Sequence, residues 1–184
     1  MEFQYNTIKE VLYRKYNRAQ ILISKWITMF LYSIYWIVLT YAVTFILKII
    51  FFPKFDLGRQ VAHGQTFITM LIKYVSAEFL TYWLLLSLVL LMANLFKSSA
   101  VATTVGIVGY FMVSLIAGIL TSAIQSWEWV KWNPLTMLMY PEQIIQPGVG
   151  QMTKLSLNQL FAGNVIYLVI FLILGYLAFA RRNV

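Results

Sequence analysis

Residues 26–47 read WITMFLYSIYWIVLTYAVTFIL, 22 positions without a charge. A helix crosses the roughly 30 Å hydrocarbon core of a bilayer with about 20 mainly apolar residues, so this stretch reads as a spanning helix. Three further runs behave alike. Residues 67–96 are apolar apart from Lys73 and Glu78, residues 98–124 carry no charge, and neither do residues 160–180. The expected fold is an all-α integral membrane protein with four transmembrane helices. Composition agrees: of 184 residues 61% are hydrophobic and 11% charged, against about 45–50% and about 25% in soluble domains. The mean hydropathy is +0.76. Alternating ten-residue segments, as in a β-barrel, are absent. The first span does not read as a cleavable leader, because 25 basic residue-rich positions precede it and no small-residue cleavage site follows.

Zero cysteines remove disulfides, thiolate metal sites and cysteine nucleophiles. One histidine and six acids make an all-protein metal cage an unattractive reading. His63 sits in a loop beside Gly64 with no second His or Cys to join it, so a solvated loop histidine is expected.

The formal charge of +8 is resolved by place. Segments 1–25, 97–99 and 181–184 hold Lys9, Arg14, Lys15, Arg18, Lys25, Lys97, Arg181 and Arg182 in 32 residues. Segments 48–66 and 125–159 hold Lys48, Lys54, Arg59, Lys131 and Lys154 in 54 residues. Cytoplasmic loops collect Lys and Arg, which places both termini in the cytoplasm of a multi-pass protein of the cell membrane. Topology accounts for the basic lead, and no nucleic-acid partner is expected.

Within that lead, residues 7–16 read as a short amphipathic helix. Thr7 and Glu10 have capping-box spacing, and Ile8, Val11, Leu12 and Tyr16 share one face. Such a helix lies on anionic headgroups or docks a soluble partner.

The residues here carry a family resemblance. Glu2-Phe-Gln-Tyr-Asn-Thr-Ile-Lys-Glu-Val-Leu12, followed by Arg18-Ala-Gln-Ile-Leu-Ile-Ser-Lys25, resembles the cytoplasmic coupling region of export-type ABC transporter permeases of the second class. Trp132-Asn-Pro-Leu135 resembles that family's aromatic-Asn-Pro element in the last outer loop, and Phe179-Ala-Arg-Arg-Asn-Val184 its basic tail. Asn6 stands where the family has Gly; Asn tolerates a left-handed backbone nearly as well. No Pro precedes Arg18, unlike the family pattern. The resemblance implies a membrane subunit that pairs with a second permease copy or homologue and with a cytoplasmic ABC ATPase. Asn6, Thr7, Ile8, Lys9, Glu10, Val11, Leu12 and Arg18 would then be the ATPase-coupling residues. It also implies that the chain corresponds to the last four of six spans, preceded by its coupling helix. ATP and Mg would belong to the partner: this chain has no Gly-x-x-x-x-Gly-Lys-Ser/Thr loop and is expected to have no cofactor and no enzymatic activity of its own.

Ionisable groups at membrane depth are functional candidates by default. Lys73 and Glu78, five positions apart, point about 140° apart on a helix and do not pair. Lys73 is near enough to one end to snorkel into the headgroups, whereas Glu78 is deeper and is read as pathway-facing or hydrogen-bonded between helices. Ser33, Thr40 and Thr44 line one face of the first span, and Thr103, Ser114 and Thr121 one face of the third. Hydroxyl stripes line pathways or knit helices together. Ala102, Gly106 and Gly109 form a small-residue face suited to close packing.

The segment 126–150 is too broken to span and is expected to lie in the interface or to dip in and return. Asn133 and Pro134 read as a helix cap and first position, and Pro141 and Pro147-Gly148 as breaks. Trp127, Trp129, Trp132 and Tyr140 suit the headgroup level. Under the resemblance, Trp132, Asn133 and Pro134 form an outer cap on an export path; otherwise the segment is an aromatic anchor.

An intramembrane enzyme would need clustered catalytic groups at one depth, and the spans hold one acid, one lysine and no histidine. A non-transporting accessory or scaffold subunit is the alternative to the permease.

Overall fold

The computed structural model describes residues 18–61, 64–96 and 99–180, and among them the only regular structure is helical. Four long helices are α1 (Arg18–Phe51), α2 (Phe67–Phe96), α3 (Ser99–Ser126) and α7 (Leu157–Ala180). A 3-10 turn (Glu128–Trp132) and three short helices, α4 (Pro134–Met137), α5 (Tyr140–Ile145) and α6 (Val149–Thr153), lie between α3 and α7. The α1–α2 loop carries an isolated antiparallel bridge between Gln60 and Thr66, with Gly64 at φ 70. Three of the described helices (α1, α2 and α7) are long and apolar enough to cross a membrane. The coupling residues Asn6, Thr7, Ile8, Lys9, Glu10, Val11 and Leu12 lie outside the described residues, as do His63, Lys97, Arg181 and Arg182. The same holds for the side chains of Arg18, Ala102, Gly109 and Ser114.

α2 matches the apolar run 67–96 end to end. α1, by contrast, opens at Arg18 instead of Trp26 and extends to Phe51. Hydropathy bounds the part of a helix that lipid accepts, whereas backbone hydrogen bonding continues through Arg18 and Lys25 into water. At 1.5 Å per residue α1 is about 50 Å long, well beyond the hydrocarbon core.

α2 is the centre of the bundle, with α1, α3, α5 and α7 packed around it. Its buried residues Ala77, Thr81, Leu84, Ser87, Leu91 and Asn94 recur every three or four positions, one helical stripe. Leu84 packs with Met137, Leu155 and Leu160. Further along, Asn94 Nδ2 donates to the Gly175 carbonyl at 3.2 Å. These pairings run in the same direction on both helices, so α2 and α7 are parallel. α1 runs antiparallel to α2: Leu22 meets Leu90 and Phe179, while Trp83 Nε1 donates to Ser33 Oγ at 3.2 Å. The first turns of α1 and the last turns of α7 therefore share one end of the bundle. Around Trp83, Trp26 and Phe30 make edge-to-face contacts at centroid distances of 5.2 and 4.9 Å. Contacts of this kind contribute about 0.5–1.5 kcal/mol beyond the area they bury.

Small residues allow the close approaches that membrane packing favours. A Cβ on Gly106 of α3 would sit 2.6 Å from Val89 Cγ2 of α2, in line with the small-residue face expected there.

The segment after α3 is folded onto the bundle. Asn133 caps α4 through Leu135 N–H···Oδ1 at 2.9 Å, with Pro134 in the first turn, as its spacing indicates. The backbone turns at Leu138 and Met139, and Pro141 stands in the first turn of α5, where its missing N–H costs nothing. Gln146-Pro147-Gly148 lies between α5 and α6, so both prolines stand at the edges of short pieces. Asn164 of α7 donates to the Met137 carbonyl at 2.9 Å, and Tyr167 Oη to the Trp132 carbonyl at 2.5 Å. Gln143 Nε2 donates to the Leu155 carbonyl, and Thr153 Oγ1 to Gln143 Oε1, both at 2.9 Å.

Candidate functional site

Glu78 lies 11 residues into α2, about 17 Å along its axis, which is about half the thickness of a hydrocarbon core. Its two carboxylate oxygens take one hydrogen bond each. Tyr41 Oη of α1 donates to Oε2 at 2.6 Å and Tyr82 Oη, one turn on in α2, donates to Oε1 at 2.7 Å. Both distances fall within the ordinary range for hydroxyl donors. Glu78 is thus hydrogen-bonded to α1 through the Tyr41 phenol and within α2 through the Tyr82 phenol.

Two cavities flank it. One, of about 310 Å³, lies between α2 and α5; its walls include Tyr74, Thr81 and Tyr82 from α2 and Pro141, Glu142 and Gln146 from α5. The other, of about 280 Å³, lies toward α1 and is walled by Ser33, Trp36, Thr40 and Tyr41 together with Glu78 and Tyr82. The first cavity shows that α5 lies beside the Tyr74–Leu85 stretch of α2 and not beyond its end. Part of the broken segment therefore lies at the level of Glu78. Among the described residues lining either cavity, none is Lys, Arg or His.

The residues singled out from the sequence divide as follows. Ser33 and Thr40 join Glu78 at the second cavity. Ser33 is buried, accepts from Trp83 and donates to the Phe30 carbonyl at 2.8 Å, so it ties α1 to α2. Thr44 donates to the Thr40 carbonyl at 2.8 Å and lines a separate apolar cleft with Phe45, Lys48, Phe52 and Phe67. Lys73 is apart from Glu78: its Nζ donates to Gln65 Oε1 at 3.2 Å, toward the Phe67 end of α2. It lines a third cavity, of about 620 Å³, with Ser76, Tyr140 and Gln143. Trp132, Asn133 and Pro134 do not reach Glu78; Trp132 is exposed and its carbonyl is held by Tyr167, while Asn133 and Pro134 start α4.

Tyr74, Tyr82 and Thr81 could have been found from Glu78 by helical spacing alone, at i−4, i+4 and i+3. Tyr41, Glu142 and Gln146 come from other elements, and no local pattern marks them. Chemically, the site offers carboxylates, phenols, a hydroxyl and an amide. Among the described residues no three His, Cys, Asp or Glu side chains converge as a metal site.

Residues 1–184 match the model of a family described as "Protein of unknown function (DUF2705)". The chain is similar to the "Uncharacterized membrane protein YdbK" of Bacillus subtilis (strain 168), with 27% identity over 188 residues that take in 100% of this chain and 72% of that protein. No solved structure matches. Together with its apolar helices, these likenesses make the chain a membrane protein with several spans.

Proposed function

The chain belongs to the family described as "Protein of unknown function (DUF2705)", and we propose that it is the membrane-spanning subunit of an ATP-driven exporter of the ABC type. The observation that carries a transport reading is Glu78, a carboxylate at mid-helix depth with a cavity on either side. Ionisable side chains in spans mark pathways because lipid penalises them heavily elsewhere. The ABC assignment rests on the likeness of residues 2–25, 132–135 and 179–184 to that class of permease.

In this reading all four long helices cross the cell membrane, with both termini cytoplasmic. Two observations support it. α2 and α7 run parallel, so α3 has to carry the chain back across the bundle between them. The start of α1 and the finish of α7 share one end, which four crossings require. Residues 1–25 meet a cytoplasmic ATPase that holds ATP and Mg, and a second permease copy completes the pathway. ATP-driven closure of the ATPases pushes the 7–16 helix, and α1 transmits the movement to the Tyr41–Glu78 contact.

The test is purification of the tagged full chain in mild detergent from its native host. An ATPase subunit is expected to co-purify, and deletion of residues 7–16 to abolish its recovery without loss of the membrane protein. A well-expressed chain that recovers no ATPase would favour the accessory reading instead. That reading draws on the many apolar side chains α1 leaves exposed, among them Ile23, Leu31, Val38 and Ile50.

A further inference from the structure

We infer that the apolar cleft between α1 and α2 holds one acyl chain of an anionic phospholipid, with the lipid phosphate on the Lys48 amine. The inference goes beyond the exporter reading and does not depend on it.

The first argument is the build of the cleft. From α1 come Tyr41, Thr44, Phe45 and Lys48, spaced i, i+3, i+4 and i+7, a single stripe about 10 Å long on the helix axis. Phe67 and Leu71, one turn apart, line it from α2, and Phe52, Phe55 and Leu57 from the connecting loop. That loop is pinned to the start of α2. Phe67 N–H donates to the Arg59 carbonyl at 3.0 Å and Ile68 N–H to the Leu57 carbonyl at 3.2 Å, and the Phe55 and Phe67 rings meet edge to face at 5.1 Å. The cleft is therefore held open by its own backbone, and its volume of about 580 Å³ falls within the range of about 300–1,000 Å³ of ligand sites.

The second argument is polarity. Lys48 is the first charge after the apolar run 26–47, which puts its amine at headgroup level. No acidic side chain lines the cleft with it. The hydroxyls below it are engaged elsewhere: Thr44 donates to the Thr40 carbonyl and Tyr41 to Glu78. The cleft thus presents one cation at its mouth and hydrocarbon beneath, the complement of an anionic phospholipid. The same loop carries exposed Lys54 and Arg59 against a single acid, Asp56, which adds attraction for that headgroup.

The third argument selects among occupants. Membrane helices approach one another through small residues. Here four phenyl rings, a phenol and two leucines stand around one threonine, a wall that holds a helix of a second copy at a distance. A flexible chain of methylenes can lie between the rings. Its far end would rest against the Tyr41 ring, whose hydroxyl binds Glu78.

The experiment uses the full chain, stripped of lipid in detergent and read by native mass spectrometry. The probes are equal amounts of dioleoyl phosphatidylglycerol and dioleoyl phosphatidylcholine, with inorganic phosphate as competitor. One phosphatidylglycerol per chain is expected, retained about fivefold or more over phosphatidylcholine, the effect of one nearby cation. Lys48→Gln is expected to remove that preference. Thr44→Trp, at an exposed position, fills the cleft and is expected to abolish retention of either lipid. Lys48 stands at the mouth of the cleft, so Lys48→Gln tests the inference even if Thr44→Trp does not fold. Equal retention of the two lipids, an unchanged preference in Lys48→Gln, retention by folded Thr44→Trp, displacement by inorganic phosphate, or a lipid-free dimer would each overturn it. Lipid retention by a chain that recovers no ATPase leaves this inference standing and defeats the exporter reading. An ATPase partner without lipid retention does the reverse.

Discussion

Glu78 takes one hydrogen bond from its own helix and one from α1, so changing its charge while keeping its shape separates adhesion from chemistry. In Glu78→Gln the amide can meet both phenols, by accepting from one and donating to the other. Thermal unfolding in detergent, followed by tryptophan fluorescence, is expected to move by no more than about 1 kcal/mol, while ATP-driven transport in proteoliposomes falls. Unchanged transport by the folded variant would remove Glu78 from the mechanism. Gly163 gives a purely steric counterpart. A Cβ there would meet Met137 Sδ at 2.2 Å, whereas one on Gly118 would meet nothing within 4 Å. Gly163→Ala is expected to cost about 1–3 kcal/mol through overpacking. Gly118→Ala should be neutral or stabilising, because alanine suits a helix interior better. Equal effects of the two would mean that Met137 does not seat against α7.

Among the elements, the α4–α6 segment depends on a few polar anchors to α7. Asn164→Ala removes the donor to the buried Met137 carbonyl, an expected loss of about 1–3 kcal/mol. Hydrogen exchange should then quicken across residues 134–153 while α2 stays protected; uniform loosening of α2 would show that the segment is part of one cooperative core. The same segment marks where reading the sequence stopped. Its Asn133-Pro134 start was legible, because a cap is a contact between neighbours in the chain. Pro141 marks an interruption between α4 and α5, and only the path of the backbone shows that it begins the second piece instead of ending the first. The docking of α5 against Tyr74–Leu85 was not legible at all, since it joins residues some 60 positions apart through contacts that leave no periodic trace. α1, α2 and α7 were legible because a helix able to cross lipid carries a long apolar run, and α1 overshot its run because backbone hydrogen bonding does not depend on hydropathy at Arg18.

For the whole molecule, the decisive question is how often the chain crosses. The absence of cysteine makes single introduced thiols unambiguous reporters. Lys54→Cys and Glu128→Cys should react with an impermeant maleimide on intact cells, and Arg182→Cys only after permeabilisation. Opposite accessibility of Lys54→Cys and Glu128→Cys would remove α3 as a crossing helix. The parallel course of α2 and α7 bears on the answer only in that the connection between them, taken as a whole, returns the chain to the end where α7 begins.

α1 touches α2 through two polar clasps, Tyr41 to Glu78 and Trp83 to Ser33, eight residues apart on α1. Lifting α1 would part both, yet Tyr82 would still hold the carboxylate in place. The indole of Trp83 would then lose its hydroxyl acceptor, and its emission would change colour. With the other five tryptophans replaced, Trp83 would be a gauge, readable in real time without any attached dye, of how far α1 stands from α2.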